Sequence, residues 1–324
     1  MPHVLIAGKI HRSGLDLIAD AAGVTFDLVE DTGPDSYLPY LGAAEGLVLR
    51  TQPLTAAILA GAGRLQVVSR HGVGYDAVDV AALSARGIPL AIVGDVNSRS
   101  VAEHAMMLML ACAKSLTAAD RAVRAGDWGW RDGYGGRELH GGRLLIVGYG
   151  RTGRLLAALA AGFGMTVAAY DPFLDAARAP DGSVALVGDL GAALAAADFV
   201  SLHAPKGERP VLGAAEIARM KPGAVLVNTA RGEAIDGAAL LDALESGRIA
   251  AAGLDVFTVE PPGLHDPLTR HPRVIATPHV AGLSVTSTER MAVVAVRNVL
   301  DFFAGRLDPG LVVNAATLGD RVGP

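Results

Sequence analysis

The sequence predicts an α/β protein built from two doubly wound parallel-sheet domains, one inserted into the other. Three observations point there. Short β-branched runs alternate with Ala/Leu-rich helical runs through almost all of the 324 residues, the pattern of parallel strands joined by helical crossovers. The runs fall into two series that part at Asp95–Ser100. At roughly 100–200 residues per domain, the length supplies two cores.

The first series has strand candidates at His3–Ala7, Thr25–Val29, Leu47–Leu49, Leu65–Ser69 and Leu90–Val93. The second has Arg143–Val147, Thr166–Tyr170, Val184–Val187, Phe199–His203, Ala224–Asn228, Ala251–Val256 and Val274–Ala276. Ser100-Val101-Ala102-Glu103 has the Ser-x-x-Glu form of a capping box, in which each side chain satisfies an orphan backbone donor. It predicts a helix running to about Lys114 or Leu116. Thr286-Ser287-Thr288-Glu289 repeats the pattern and opens a long helix to about Ala304, with Gly305 as its stop. The chain is expected to leave the first domain once and return through this helix. Residues 1–98 and 291–324 then form the first domain, and 99–290 the second.

Composition excludes several classes. Net charge is −5 with no Lys/Arg cluster, which argues against nucleic acid. The longest uncharged stretch, Leu155–Tyr170, is shorter than the ~20 apolar residues of a membrane span and is broken by Gly162 and Gly164. The N-terminus lacks a basic region followed by an apolar run. The lone Cys112 cannot pair within the chain and reads as a buried core thiol. A soluble cytoplasmic protein without a membrane partner is expected. Histidines such as His265 and His271 lack metal-ligand spacing, so no metal is expected. The Gly-rich segment Ala125–Gly142, with Trp128 and Trp130, is long enough to need a reason such as a subunit contact.

Leu144-Leu145-Ile146-Val147 ends in Gly148-Tyr149-Gly150-Arg151-Thr152-Gly153, followed by helical Arg154–Ala161. This is G-x-G-x-x-G between strand and helix. Its glycines allow the tight turn and the approach of pyrophosphate to backbone, and the helix N-terminus faces the phosphate. The next strand, Thr166–Tyr170, ends in Asp171, where a carboxylate accepts from the adenosine ribose hydroxyls. Asp171 favours NAD over NADP, whose 2′-phosphate it would repel, and the following Pro172-Phe173 supplies no arginine for that phosphate. A Rossmann domain binding NAD is the reading.

Three later segments offer the parts for hydride transfer to a 2-keto acid. Asn228-Thr229-Ala230-Arg231-Gly232 places an arginine after a strand. Asp255-Val256-Phe257-Thr258-Val259-Glu260-Pro261-Pro262 places carboxylates after another, and Thr277-Pro278-His279-Val280-Ala281-Gly282 a histidine after a third. The carboxyl ends of parallel strands are where open α/β sheets bind ligands. Taken singly, the arginine reads as a surface ion pair, the histidine as structural and Glu260 as turn chemistry. Together, in this order, they carry a stronger signal.

With Arg70-His71-Gly72-Val73-Gly74-Tyr75-Asp76, Ser100-Val101-Ala102-Glu103-His104 and Met220-Lys221-Pro222-Gly223, these segments resemble the D-isomer-specific 2-hydroxyacid dehydrogenase family over nearly the whole chain. The resemblance is to its phosphoglycerate-dehydrogenase-like members, in a short form without a C-terminal regulatory domain. It implies a Rossmann NAD-binding domain inserted into a flavodoxin-like substrate domain. The implied substrate is a small D-2-hydroxy acid or 2-keto acid, such as 3-phosphoglycerate, hydroxypyruvate or glyoxylate.

By this resemblance His279 is the general acid/base, Glu260 orients it and favours the imidazolium, and Arg231 holds the substrate carboxylate. Val73 and Gly74 offer backbone N–H groups to that carboxylate, and domain closure excludes water. Asp255 receives the nicotinamide carboxamide. Gly148, Gly150, Arg151, Thr152, Gly153, Asp171, His203, Ala204, Pro205, Thr229, Ala230 and Gly282 line the cofactor. Arg50 reads equally as a contact for a second anionic group, such as phosphate, and as a structural ion pair.

A homodimer is implied, with Ala105–Trp130 at the contact. Leu145, Thr152 and Lys206-Gly207-Glu208-Arg209-Pro210 depart from the usual family pattern, on the adenine side. Glu260 disfavours the related formate dehydrogenases, which pair the histidine with glutamine. An NAD-sensing corepressor or scaffold on the same fold is the alternative class of function.

Overall fold

The structure, a computed structural model, describes residues 1–174 and 184–319. By its internal contacts the chain divides into Met1–Asn97 with Leu283–Pro324, and Ser98–Gly282. The boundary expected at 290/291 lies inside a helix, Val285–Phe303, whose Met291, Ala292, Ala295, Val296 and Val299 enter the first unit's core.

The first unit holds β1 (His3–Ala7), β2 (Thr25–Val29), β3 (Gly46–Leu49), β4 (Val67–Arg70) and β5 (Leu90–Ala91). They form one sheet in the order β2-β1-β3-β4-β5, with every pair parallel. This is the flavodoxin-like order. Alternate residues point to opposite faces: Leu5, Leu47, Leu49 and Val68 enter one core and Val4, Ile6, Val48 and Val67 the other. Both faces are covered, so the strands read as continuous apolar runs rather than alternating ones. Gly46 lets Val299 of the helix Val285–Phe303 lie on the sheet, for a Cβ there would stand 2.6 Å from Val299 Cγ1.

The second unit holds β6 (Arg143–Val147), β7 (Thr166–Tyr170), β8 (Ala185–Leu186), β9 (Phe199–Leu202), β10 (Ala224–Asn228), β11 (Ile249–Leu254) and β12 (Val274–Ala276). Their order is β12-β11-β10-β9-β6-β7-β8, again all parallel. Read from β6, the chain goes to β7 on one side and later returns to β9 on the other. That reversal is the topological switch point at which doubly wound sheets bind dinucleotides. Leu144 and Ile146 pack toward the helices Ser98–Ala113 and Arg151–Gly162, and Leu145 and Val147 into the core on the opposite face. Cys112 is buried with Leu144 and Ile146, and burial pushes its thiol up to about 12.

Two expected helix starts are shifted. The helix Ser98–Ala113 begins before Ser100, whose hydroxyl instead donates to the Ala281 carbonyl at 2.7 Å. The helix Val285–Phe303 is capped by Ser284, whose Oγ accepts from Ser287 N at 3.2 Å, so Thr286 lies within it. Ser100 is thus drawn to a distant carbonyl, and the second helix starts two residues before the expected cap. The Trp-containing segment folds into a 3-10 turn, Trp128–Gly133, capped by Asp127, with Trp128 65% exposed. No helix among the described residues is long and apolar enough to cross a membrane.

Candidate active site

The glycine turn after β6 has the shape its spacing predicts. Gly148 has φ +94°, a left-handed value that an L side chain adopts only with strain, and a Cβ there would lie 2.6 Å from Ala204 N. The loop His203-Ala204-Pro205 after β9 therefore rests directly on the turn. A Cβ on Gly153 would overlap the Gly148 carbonyl. A Cβ on Gly150 would meet nothing within 4 Å. Gly150 also caps the helix Arg151–Gly162, so open space lies beside its first N–H groups. A pyrophosphate fits such a cradle.

Asp171 braces the same turn: Oδ2 accepts from Tyr149 N and Oδ1 from Phe173 N, both at 3.0 Å. Each oxygen retains a lone pair for a ribose hydroxyl. His203 bonds Ser201 Oγ at 2.9 Å, and burial pushes its imidazole down to about 4, so it is neutral. Thr229 Oγ1, after β10, is buried with no partner among the described residues. A buried hydroxyl left unsatisfied costs stability, and a ligand group would satisfy it. The cofactor candidates on this side thus fit a dinucleotide.

Arg231 ends the turn after β10. The side chain of Asn228, buried at the strand end, accepts from Ala230 N at 3.0 Å and donates to the Arg231 carbonyl at 2.8 Å. The half-buried guanidinium donates through Nη1 to the Ala230 carbonyl at 2.6 Å. No local pattern in the sequence marks Asn228 as the brace of this turn.

After β11, Glu260 Oε1 accepts from Phe257 N at 3.0 Å, and Oε2 lies 2.7 Å from His279 Nδ1. A carboxylate only accepts, so Nδ1 carries a proton. That leaves His279 Nε2, which has no partner among the described residues, as the atom for exchange. His279 itself has φ +53°, a left-handed geometry that costs an L residue about 1–2 kcal/mol. Its N–H is shared between the carbonyls of Asp255 at 2.8 Å and Thr277 at 3.0 Å.

Asp255 is engaged differently from the expectation. Its side chain is fully buried. Oδ1 accepts from Val280 N at 3.0 Å and Thr277 Oγ1 at 2.5 Å, and Oδ2 from Ala281 N at 2.8 Å. In this structure it offers no exposed oxygen to a carboxamide and ties down the loop that runs from His279 to Gly282.

Arg50, Val73 and Gly74 lie in the first unit, beyond the carboxyl ends of β3 and β4. Among the described residues Arg50 makes no ion pair, and neither Val73 N nor Gly74 N has an acceptor. Arg70 Nη1 donates to the His71 carbonyl at 3.0 Å. His71 is buried with Nε2 unpartnered, and burial together with Arg70 and Arg50 pushes it down to about 4. This end of the sheet is electropositive without any charge on the histidine. Among the described residues no group of three His, Cys, Asp or Glu side chains could hold a metal.

Comparison with known proteins gives the family. Residues 106–281 match the D-isomer specific 2-hydroxyacid dehydrogenase NAD-binding domain, and the chain belongs to that family. It is 37% identical over 328 residues to a D-3-phosphoglycerate dehydrogenase of Mycobacterium tuberculosis, covering 100% of this chain and 61% of that protein. It is 36% identical to a glyoxylate reductase of Korarchaeum cryptofilum, covering 96% of each. Among solved structures, an NADPH-dependent glyoxylate/hydroxypyruvate reductase of Sinorhizobium meliloti superposes with a TM-score of 0.86 at 28% identity, over 98% of this chain and 99% of that one.

Proposed function

We propose that the chain is an NAD-dependent dehydrogenase that interconverts a small D-2-hydroxy acid and its 2-keto acid. 3-Phosphoglycerate, hydroxypyruvate and glyoxylate are the leading substrates. The observation that carries this is the 2.7 Å His279–Glu260 pair with Nε2 unengaged, in the loops after β12 and β11, the two strands that follow β10 and its Arg231 in the sheet order.

NADH, held at the glycine turn and Asp171, would supply the hydride for C2 of the keto acid. His279 delivers a proton from Nε2 to the carbonyl oxygen, and takes the hydroxyl proton in the reverse direction. Positioned acid/base catalysis of this kind is worth ~10²–10⁴-fold. Glu260 fixes the ring and keeps the proton on Nδ1 in place. Arg231 receives the substrate carboxylate with its planar fork, which donates to two oxygens at once. Val73 and Gly74 contribute N–H groups, and Arg50, with Arg70, suits a second anionic group such as a phosphate.

NAD rather than NADP follows from Asp171, whose charge opposes a 2′-phosphate. The family includes NADPH-dependent members, the Sinorhizobium reductase among them. Gly148, Gly150, Arg151, Thr152, Gly153, His203, Ala204, Pro205, Thr229, Ala230 and Gly282 are the remaining cofactor candidates. Residues 1–98 with 291–324 are read as the substrate domain and 99–290 as the NAD-binding domain. A cytoplasmic site of action agrees with the single buried thiol.

A homodimer is proposed through the exposed apolar groups Leu116, Val123 and Trp128, 56%, 61% and 65% exposed, because contiguous apolar patches mark interaction sites. Light scattering on Trp128→Lys should give half the wild-type mass.

The deciding experiment follows NADH absorbance with glyoxylate, hydroxypyruvate, phosphohydroxypyruvate and pyruvate. Oxidation with one of them, abolished in His279→Ala, supports the reading. Bound NADH without turnover on any 2-keto acid would turn it toward the NAD-sensing class.

A further inference from the structure

One face of the helix Ser98–Ala113 grips the loop that carries His279 at both ends. Ser100 and His104 stand four residues apart, on the same side of that helix. Ser100 Oγ donates to the Ala281 carbonyl at 2.7 Å. His104 Nε2 lies 2.9 Å from Thr277 Oγ1 and 3.5 Å from Asp255 Oδ1. Between the two grips runs Thr277-Pro278-His279-Val280-Ala281, with His279 in its left-handed conformation.

The direction of the His104 bond is fixed by its neighbours. Thr277 has a single hydroxyl proton, and Asp255 Oδ1, at 2.5 Å, can only accept it. The Thr277 oxygen is then an acceptor toward His104, and Nε2 must donate. The chain of bonds runs from His104 through Thr277 to a carboxylate whose two oxygens also hold Val280 N and Ala281 N. Both the helix histidine, 15% exposed, and the fully buried aspartate lie off the surface.

We propose that His104 is a positioning residue for catalysis: its Nε2–H holds the Thr277–Asp255 pair, which sets the conformation of the loop and so aims His279. It touches no reacting atom. The inference rests on the assignment of His279 as the acid/base, and its test separates the two.

In the full chain, His104→Leu removes the donor. His104→Gln keeps an N–H of similar reach. With the best keto acid, His104→Leu is expected to lower kcat at least 10-fold, with KM and NADH affinity changed less than about 3-fold. His104→Gln should recover kcat to within about 3-fold of wild type. Thr277→Val, which removes the relaying hydroxyl, should lose a similar factor, and combining it with His104→Leu should add little. Hydrogen exchange at Val280 and Ala281 should quicken at least 10-fold in His104→Leu and stay near wild type in His104→Gln.

A kcat for His104→Leu within 2-fold of wild type, or a glutamine variant as impaired as the leucine one, overturns the role. Should His104→Leu fail to fold, Thr277→Val and His104→Gln decide it by the same split of kcat from KM. If wild type binds NADH but reduces no keto acid, the proposed activity fails. Exchange at Val280 and Ala281 still decides whether His104 sets the loop.

Discussion

Gly232 lies against the backbone of Phe257 so closely that a Cβ on it would overlap the Phe257 carbonyl group and Thr258 N. The turn that presents Arg231 and the loop that presents Glu260 leave neighbouring strands, β10 and β11, and their main chains meet there. Asn228 braces one side of this junction and Glu260, through Phe257 N, the other.

Gly232→Ala should therefore separate the two groups. Overpacking of this kind costs about 1–3 kcal/mol in stability, and a displacement near 1 Å at a reacting group costs roughly 10²-fold in rate. Urea unfolding with NADH-linked kinetics checks both. A variant with wild-type kcat/KM would show that the contact does not set the Arg231–Glu260 spacing.

Arg231→Lys keeps the charge and loses the fork. If the guanidinium binds the substrate carboxylate through two bonds, kcat/KM for the keto acid falls roughly 10–10²-fold, the worth of one charged hydrogen bond. NADH affinity, read by fluorescence, should stay within about 2-fold. A loss shared equally by NADH binding would place the arginine on the cofactor instead.

Asp171→Ala removes the carboxylate that braces Tyr149 N and Phe173 N. NADH affinity should fall about 10-fold, since two charge-assisted acceptors go with it. The preference for NADH over NADPH should narrow by a larger factor, because a repelled 2′-phosphate is relieved. A ratio that does not move would remove Asp171 from the basis of cofactor choice.

His71 gives the fold a dependence on acidity. Burial and the two arginines hold its folded value at about 4, against an ordinary value of 6.5 in the unfolded chain. Between those two pH values the unfolded chain binds the additional proton, so stability is complete above 6.5 and is lost as pH falls from 6.5 through 4. The amount is on the order of 3 kcal/mol. His203, also held at about 4 by burial, adds a slope over the same window, so His71→Gln should reduce the slope of unfolding free energy between pH 4 and 6.5 by roughly half and leave the His203 share in place. An unchanged slope in His71→Gln would show that His71 does not carry this dependence.

Much of this architecture was legible because β6, β9 and β10 are buried on both faces, and such strands must be written in uninterrupted apolar letters. The glycine turn was legible too, for Gly148 and Gly153 meet backbone where any side chain collides. What the sequence hides is which hydroxyl meets which carbonyl. Ser100 reads as a helix cap because its local alternative is visible in four letters, whereas its actual acceptor, Ala281, is 181 residues away. Asp255 reads as a cofactor contact through the family resemblance alone. Its burial under Val280 and Ala281 depends on the loop folding back, which no local pattern records. Arg50 stayed ambiguous in sequence, since a missing ion pair is visible only once its neighbours are placed.

The bond from Ser100 to Ala281 also makes the second unit begin and finish at one spot. A folded segment whose two ends nearly coincide can be spliced into a host chain at a single surface loop without a gap to bridge. The stretch Ser98–Gly282 is thus a transferable cassette. A short linker across its ends would allow new termini to be opened in an exposed loop elsewhere, with the strand order, the glycine cradle and the His279 loop carried along intact.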